Sequence, residues 1–192
     1  MRRLVLSLAL LAAGCSGEDA APAATSTRLA CDAYVDADGG LAPGATAVSL
    51  ERDVMPQVFA LSCAFGSCHA VQGSTQGAGL YLGPNLHATA ASGQYPPPYW
   101  PPTADVVRQV HEALVQGAAA TEASMPRVTP GDPARSFLMH KLDQDQNASG
   151  LACHAETGAP PCGDGMPGQG QRLPDATLEL VRAWICQGAK LN

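Results

Sequence analysis

At 192 residues, with 17 Asp and Glu against 11 Lys and Arg and a formal charge of −6, the chain has one domain's worth of sequence after short terminal segments are set aside. No basic patch is present to neutralise phosphates, which argues against nucleic acid as a partner. Seven cysteines in so short a chain point to an oxidising compartment or to cysteine-borne cofactor chemistry.

Residues 1–14 begin Arg2-Arg3, continue through the apolar run Leu4 to Leu11 and end in Ala12-Ala13-Gly14 before Cys15. Too short to span a bilayer, the run reads as a secretory signal. Small residues directly before Cys15 resemble the lipobox of bacterial lipoproteins, which makes Cys15 the expected lipidated N-terminus. Two or three acyl chains there predict stable attachment to the inner or outer membrane, facing the periplasm or the exterior. Losing Arg2 and Arg3 with the leader removes two positive charges and takes the formal −6 to −8. The rest of the 15–30 stretch has almost no large apolar side chain and predicts a flexible tether spanning roughly 20 Å. The folded domain is expected over 31–192.

In VSLERDVMPQVFALSC, Leu50, Val54, Val58 and Leu61 recur at helical spacing. Pro56 is tolerated only near a first turn, so the regular helix is expected to start around Met55. Residues 73–102 read as loop, with Gly77 to Gly79 and the run from Tyr95 to Pro102 as an extended surface wrap. Thr103 predicts a cap for a helix carrying Val106, Val107, Val110 and Leu114, closed by Gly117. Asp132-Pro133 signals the start of another with Leu138 and Leu142 on one face. A last helix is expected from about Pro174 to Gln187, striped by Leu178, Val181 and Ile185 with Trp184 beside them, and stopped by Gly188. No alternating strand pattern occurs, so the domain reads as mainly α with long loops that need a staple or a cofactor.

Cys63-Ala64-Phe65-Gly66-Ser67-Cys68-His69 places two thiols and an imidazole close in sequence, as covalent haem attachment requires. Its spacing is C-x4-C-H where the usual haem motif is C-x-x-C-H, so the intervening backbone must bulge, for which Gly66 and Ser67 are suited. A local Cys63–Cys68 disulfide is the competing reading. Met166-Pro167, between glycines and ahead of the last helix, offers a soft thioether to the other side of an iron held by His69. Zinc binding by Cys63, Cys68 and His69 would need a fourth ligand and reduced thiols, which export disfavours. No nucleophilic triad, phosphate loop or HExxH motif occurs, so the chain is not expected to be an enzyme in its own right.

The succession VMPQVFALSC…CH, GAGLYL, TPGDPARSFLMHKL, GMP and LPDATLELVRAWICQGA resembles the planctomycete-type cytochrome c domain over roughly Val48 to Ala189. The resemblance implies a cytochrome c-like fold in which the helix entering the haem motif crosses the C-terminal helix. It also implies one covalent haem c per chain, attached through Cys63 and Cys68, with His69 as proximal and Met166 as distal ligand. The long stretch between His69 and Met166 departs from the family. Met125 is a rival distal ligand, His140 and His154 are bis-histidine rivals more readily read as packing residues, and His87 and His111 have no partners in sequence.

Cys153 and Cys162 bracket an eight-residue loop containing Gly158 and Pro160-Pro161, which makes them each other's expected partners. Cys31 and Cys186 then remain, and they come together if the two helices cross as the family fold implies. The expected function is membrane-tethered electron transfer with an unidentified redox protein. The alternative is a haem-free, disulfide-stabilised structural or binding lipoprotein on the same fold.

Overall fold

The computed structural model describes residues 31–73, 76–84, 101–117, 125–148, 150–153, 160–168 and 170–192. The expected leader, Cys15, the tether, His87, most of the proline-rich wrap, His154 and Gly158 lie outside them. The described residues are mainly helical, with four helices, two disulfides and no sheet; Val35–Leu41 and Thr129–Asp132 are isolated bridges.

Helix α1 runs as a π-helix over Leu50–Phe59 and closes with one α turn, Ala60–Ser62. It starts at Leu50, not around Met55, because Pro56 is accommodated within it. In an α-helix the Pro56 ring would meet the carbonyl four residues back. Here the turn is widened, and Val54 N bonds Ser49 O (3.1 Å) while Ala60 N bonds Met55 O, both five residues apart. Ser49 caps the start, its Oγ accepting from Arg52 N at 3.2 Å. The wider turn also moves the apolar face. Leu50, Val54, Met55, Val58 and Phe59 are buried, whereas Leu61, expected on the stripe, is 40 % exposed. Four to five residues beyond Val58 and Phe59, the next inward position is Cys63.

Thr103 Oγ1 accepts from Val106 N at 3.4 Å and caps α2, Ala104–Val115, which buries Val107, Val110 and Leu114 as the spacing predicts. The helix expected from Asp132-Pro133 is interrupted. Pro133–Arg135 form a single 3₁₀ turn, Ser136 is extended, and α3 is Phe137–Asp143. The break follows from Ser136 Oγ, which donates to Asp132 O (2.8 Å) and accepts from Thr129 N (2.8 Å). A buried serine thus ties the turn to the preceding segment.

Helix α4, Asp175–Cys186, carries the expected stripe, with Leu178, Val181, Trp184 and Ile185 buried; Trp184 Nε1 donates to Lys190 O at 2.9 Å. Each such aliphatic or aromatic side chain contributes about 1.5–3 kcal/mol on burial. α1 and α4 pack against each other, α2 packs on α1, and α3 packs on α4. Arg182 on α4 is also buried, its guanidinium bonding Asp143 at the end of α3 (3.0 Å) and Glu179 one turn back. Cys31–Cys186 and Cys153–Cys162 are disulfides, as the spacing and the implied helix arrangement led us to expect. No helix of the described residues is long and apolar enough to cross a membrane.

Candidate cofactor site

Beyond α1 the backbone doubles back on itself. Cys63 O accepts from Phe65 N (3.0 Å) and His69 N (3.2 Å), and Phe65 O accepts from Cys68 N (2.9 Å). The Phe65–Cys68 turn absorbs the extra length of the C-x4-C-H segment, with Gly66 and Ser67 at its centre. Cys63 is buried and Cys68 half-buried; both are free thiols, unlike Cys31, Cys186, Cys153 and Cys162. Burial, and secondarily the neighbouring Cys68, push the Cys63 thiol up to about 12. At neutral pH it is therefore protonated, a thiol and not a free thiolate. Among the described residues no three His, Cys, Asp or Glu side chains group to hold a metal ion by themselves.

His69 is 7 % exposed. Its Nδ1 lies 2.8 Å from Leu80 O, and because a carbonyl only accepts, Nδ1 carries the proton. The lone pair is then on Nε2, the tautomer a metal needs. Burial pulls the imidazole below its ordinary value against the Leu80 hydrogen bond, and the charges of Arg127 and Lys141 act in the same direction, so the ring is neutral at pH 7.

The seat of His69 is the segment that follows it. Gly77 and Ala78 are left-handed (φ 60° and 53°), turning the chain so that Leu80 O meets the ring and Leu82 N donates to His69 O at 2.9 Å. A Cβ on Gly77 would stand 2.6 Å from His69 Cε1, closer still to Nδ1, and 2.9 Å from Cys68 O. Sequence reasoning placed Gly77 in a loop and in the GAGLYL segment of the family resemblance, but gave it no role in the site.

Met166 sits in a loop pinned to α3. Its N donates to Lys141 O at 2.8 Å, while Lys141 Nζ donates to Cys162 O (2.7 Å) and Asp164 O. Asn147 accepts from Cys162 N (2.9 Å) and donates to Gly163 O (3.0 Å). With the Cys153–Cys162 disulfide, these bonds fix the approach to Met166.

Cys63, Cys68, His69 and Met166 all line one cavity of about 340 Å³, within the usual size of ligand pockets. Its walls are chiefly apolar, including Leu80, Leu82, Leu114, Phe137 and Leu142; Arg127 and Lys141, unforeseen in the sequence, also reach it. The four residues thus come together although 103 positions separate Cys63 from Met166. Two thiols, an imidazole with its outward nitrogen unbonded, a thioether and an apolar enclosure fit a covalently attached haem.

The rivals stand elsewhere. Met125 packs with Phe137 and Cys162 in a small second cluster and does not line the cavity, and His111 Nε2 faces Ala189 O at 2.8 Å. His140 is held at both nitrogens, by Asp145 Oδ1 (2.8 Å) and Ala134 O (3.0 Å). Two acceptors call for an imidazolium, and the Asp145 hydrogen bond, ahead of the opposing burial, raises its pKa. A raised folded-state value means this stabilisation is full below the ordinary histidine range and is lost as pH rises through the folded value. Urea midpoints should therefore favour about pH 6 over about pH 8 more strongly in the parent than in His140→Gln. An identical pH dependence in the two proteins would refute the charged assignment.

No protein-family model, curated protein or solved structure matches the chain.

Proposed function

We propose that the protein is a c-type-cytochrome-like electron carrier holding one haem through thioethers from Cys63 and Cys68, with His69 and Met166 as axial ligands. The observation that carries this reading is the convergence of those four side chains on one apolar cavity, with His69 Nδ1 bound and Nε2 left for iron. The contact of α1, which leads into Cys63, with α4 supports a cytochrome c-like arrangement. Bound there, the haem would supply one-electron Fe(III)/Fe(II) chemistry.

The chain's own residues set the conditions for it. Leu80 O orients the His69 ring and fixes its tautomer. The pinned loop presents the Met166 thioether, a soft ligand that favours the reduced ion and raises the potential. Leu82, Leu114 and Leu142 exclude water. His69 and Met166 would both hold the iron, which would suit a carrier better than an enzyme. Two disulfides suit an oxidising compartment. A lipid on Cys15 and the following tether would hold the domain at a membrane of the cell envelope, where a redox protein is its expected partner.

Export of the full chain alongside a haem-ligation system, followed by intact mass and a haem stain on denaturing gels, tests this. One haem per chain is expected, lost when Cys63 and Cys68 are both replaced by serine. A mass two hydrogens lower across Cys63 and Cys68, without haem, would favour the haem-free, disulfide-stabilised lipoprotein instead. In the loaded protein, Met166→Ala should abolish the long-wavelength sulfur-to-iron band and lower the reduction potential, while Met125→Ala leaves both unchanged. The reverse result would move the distal ligand to Met125.

A further inference from the structure

We propose that Arg127 and Lys141 form a carboxylate-binding subsite of this cavity that takes the two acid side chains of the tetrapyrrole, an inference that rests on the haem reading above. Three charged side chains line the cavity among the described residues: Arg127, Lys141 and Asp164. Two cations against one acid make it net positive, in a chain whose formal charge is −6. Holding a cation partly out of water is costly unless a counter-charge compensates it. Neither cation forms an ion pair with a carboxylate among the described residues.

Both are held instead by backbone carbonyls, which orient a cation without neutralising it, and only Lys141 has a carboxylate, Asp164, near enough to offset part of its charge. Arg127 Nη1 donates to Ala113 O (2.9 Å) in the last turn of α2, where helix carbonyls favour positive charge. Its guanidinium lies over Gly117, at which a Cβ would collide with it. Lys141 donates to Cys162 O and Asp164 O. A guanidinium has five N–H donors and an ammonium three, so each keeps donors for an incoming acid.

Their backbones are neighbours. Leu138 N donates to Arg127 O at 2.9 Å, and Lys141 follows Leu138 by one turn of α3. The two cations therefore belong to one wall, while the thiols come from the end of α1. A haem is built to match, with its thioether-forming arms and its carboxylates on different edges of the ring. The cavity's preferred ligand is thus a large apolar body with acid groups at one edge.

The test is proton NMR of the oxidised, haem-loaded full chain, in which the methylenes beside the two ring carboxylates are shifted clear of the protein signals. The charged and titratable groups that line the cavity are Arg127, Lys141, Asp164, His69, Cys63 and Cys68, and of these only Asp164 adds a carboxyl. In the parent, cations beside the acids hold them ionised, so the methylene signals should not move between about pH 5 and pH 8. Arg127→Met should bring at least one carboxylate into that window, in an Asp164→Asn background as well, and Arg127→Lys should restore the flat profile. Lys141→Met should do the same, with Lys141→Arg as its rescue. Flat profiles in both methionine variants, or a parent that already titrates there, would overturn the subsite and leave the haem reading standing. A chain that retains no haem on denaturation would overturn both.

Discussion

Replacing Cys31 and Cys186 together by serine should cost the protein more thermal stability than loss of the other disulfide, while leaving haem content unchanged. The bridge spans 155 positions, so in the unfolded chain it closes a very long loop. Chain entropy assigns such a loop about 5 kcal/mol, against about 3 kcal/mol for the short Cys153–Cys162 loop. For a domain of this size, 5 kcal/mol corresponds to a midpoint lowered by roughly 10–20 °C.

The native geometry does not depend on the bridge alone. Val48 N donates to Gln187 Oε1 (2.8 Å), Gln187 Nε2 donates to Thr46 O (2.9 Å), and Tyr34 donates to Glu179. These contacts lash the segment before α1 to α4. The double-serine variant should therefore still fold, with the same far-ultraviolet circular dichroism below its midpoint. Thermal scans of it beside Cys153→Ser/Cys162→Ser check the ordering. Equal midpoints for the two variants would show that the long loop is already closed in the denatured ensemble.

What the sequence made legible was mostly local. The Thr103 cap, the α2 and α4 stripes and the stop at Gly188 follow from residue type and 3.6-residue spacing, which act within one turn. The Cys153–Cys162 pairing was legible from its short loop, and Cys31–Cys186 from the helix crossing that the family resemblance implies. The course of α1 was not. A proline inside a helical pattern reads as a start or a stop, whereas the packing of Leu50, Val54 and Val58 holds the helix through Pro56 by widening it. The same widening exposes Leu61 and turns Cys63 inward, so the misread helix bore directly on the site. Arg182 was equally opaque, because its burial depends on Asp143, 39 positions away. Of the residues lining the cavity, Cys63, Cys68, His69 and Met166 were singled out by chemical type. Gly77, Arg127 and Lys141 were not, since each matters only through a neighbour brought near by the fold.

Gly77→Val should dismantle the site without unfolding the domain. The residue holds φ 60°, a left-handed conformation in which a β-branched side chain is strained. Its Cβ would also fall within 2.6 Å of the His69 ring and 2.9 Å from Cys68 O, and neither neighbour is a flexible side-chain tip. The ring is clasped by Leu80 O, and Cys68 O belongs to the backbone between Cys68 and His69, the proposed attachment and ligand residues. Relief must therefore come from moving the 77–82 segment away, which takes Leu80 O from Nδ1, or from turning His69 out of the cavity. Either movement would take Nε2 from the position proposed for binding iron. Gly77 itself is not in the core, and of the 77–82 segment only Leu82 is buried in it, so helix content should survive with a lowered midpoint. The loaded variant should lose low-spin histidine–methionine absorption and accept added imidazole at the vacated position, while Gly79→Ala, changing the same left-handed turn two residues on, serves as the control for turn strain. Retention of the parent spectrum by Gly77→Val would mean that His69 is seated by contacts other than Leu80 and Gly77.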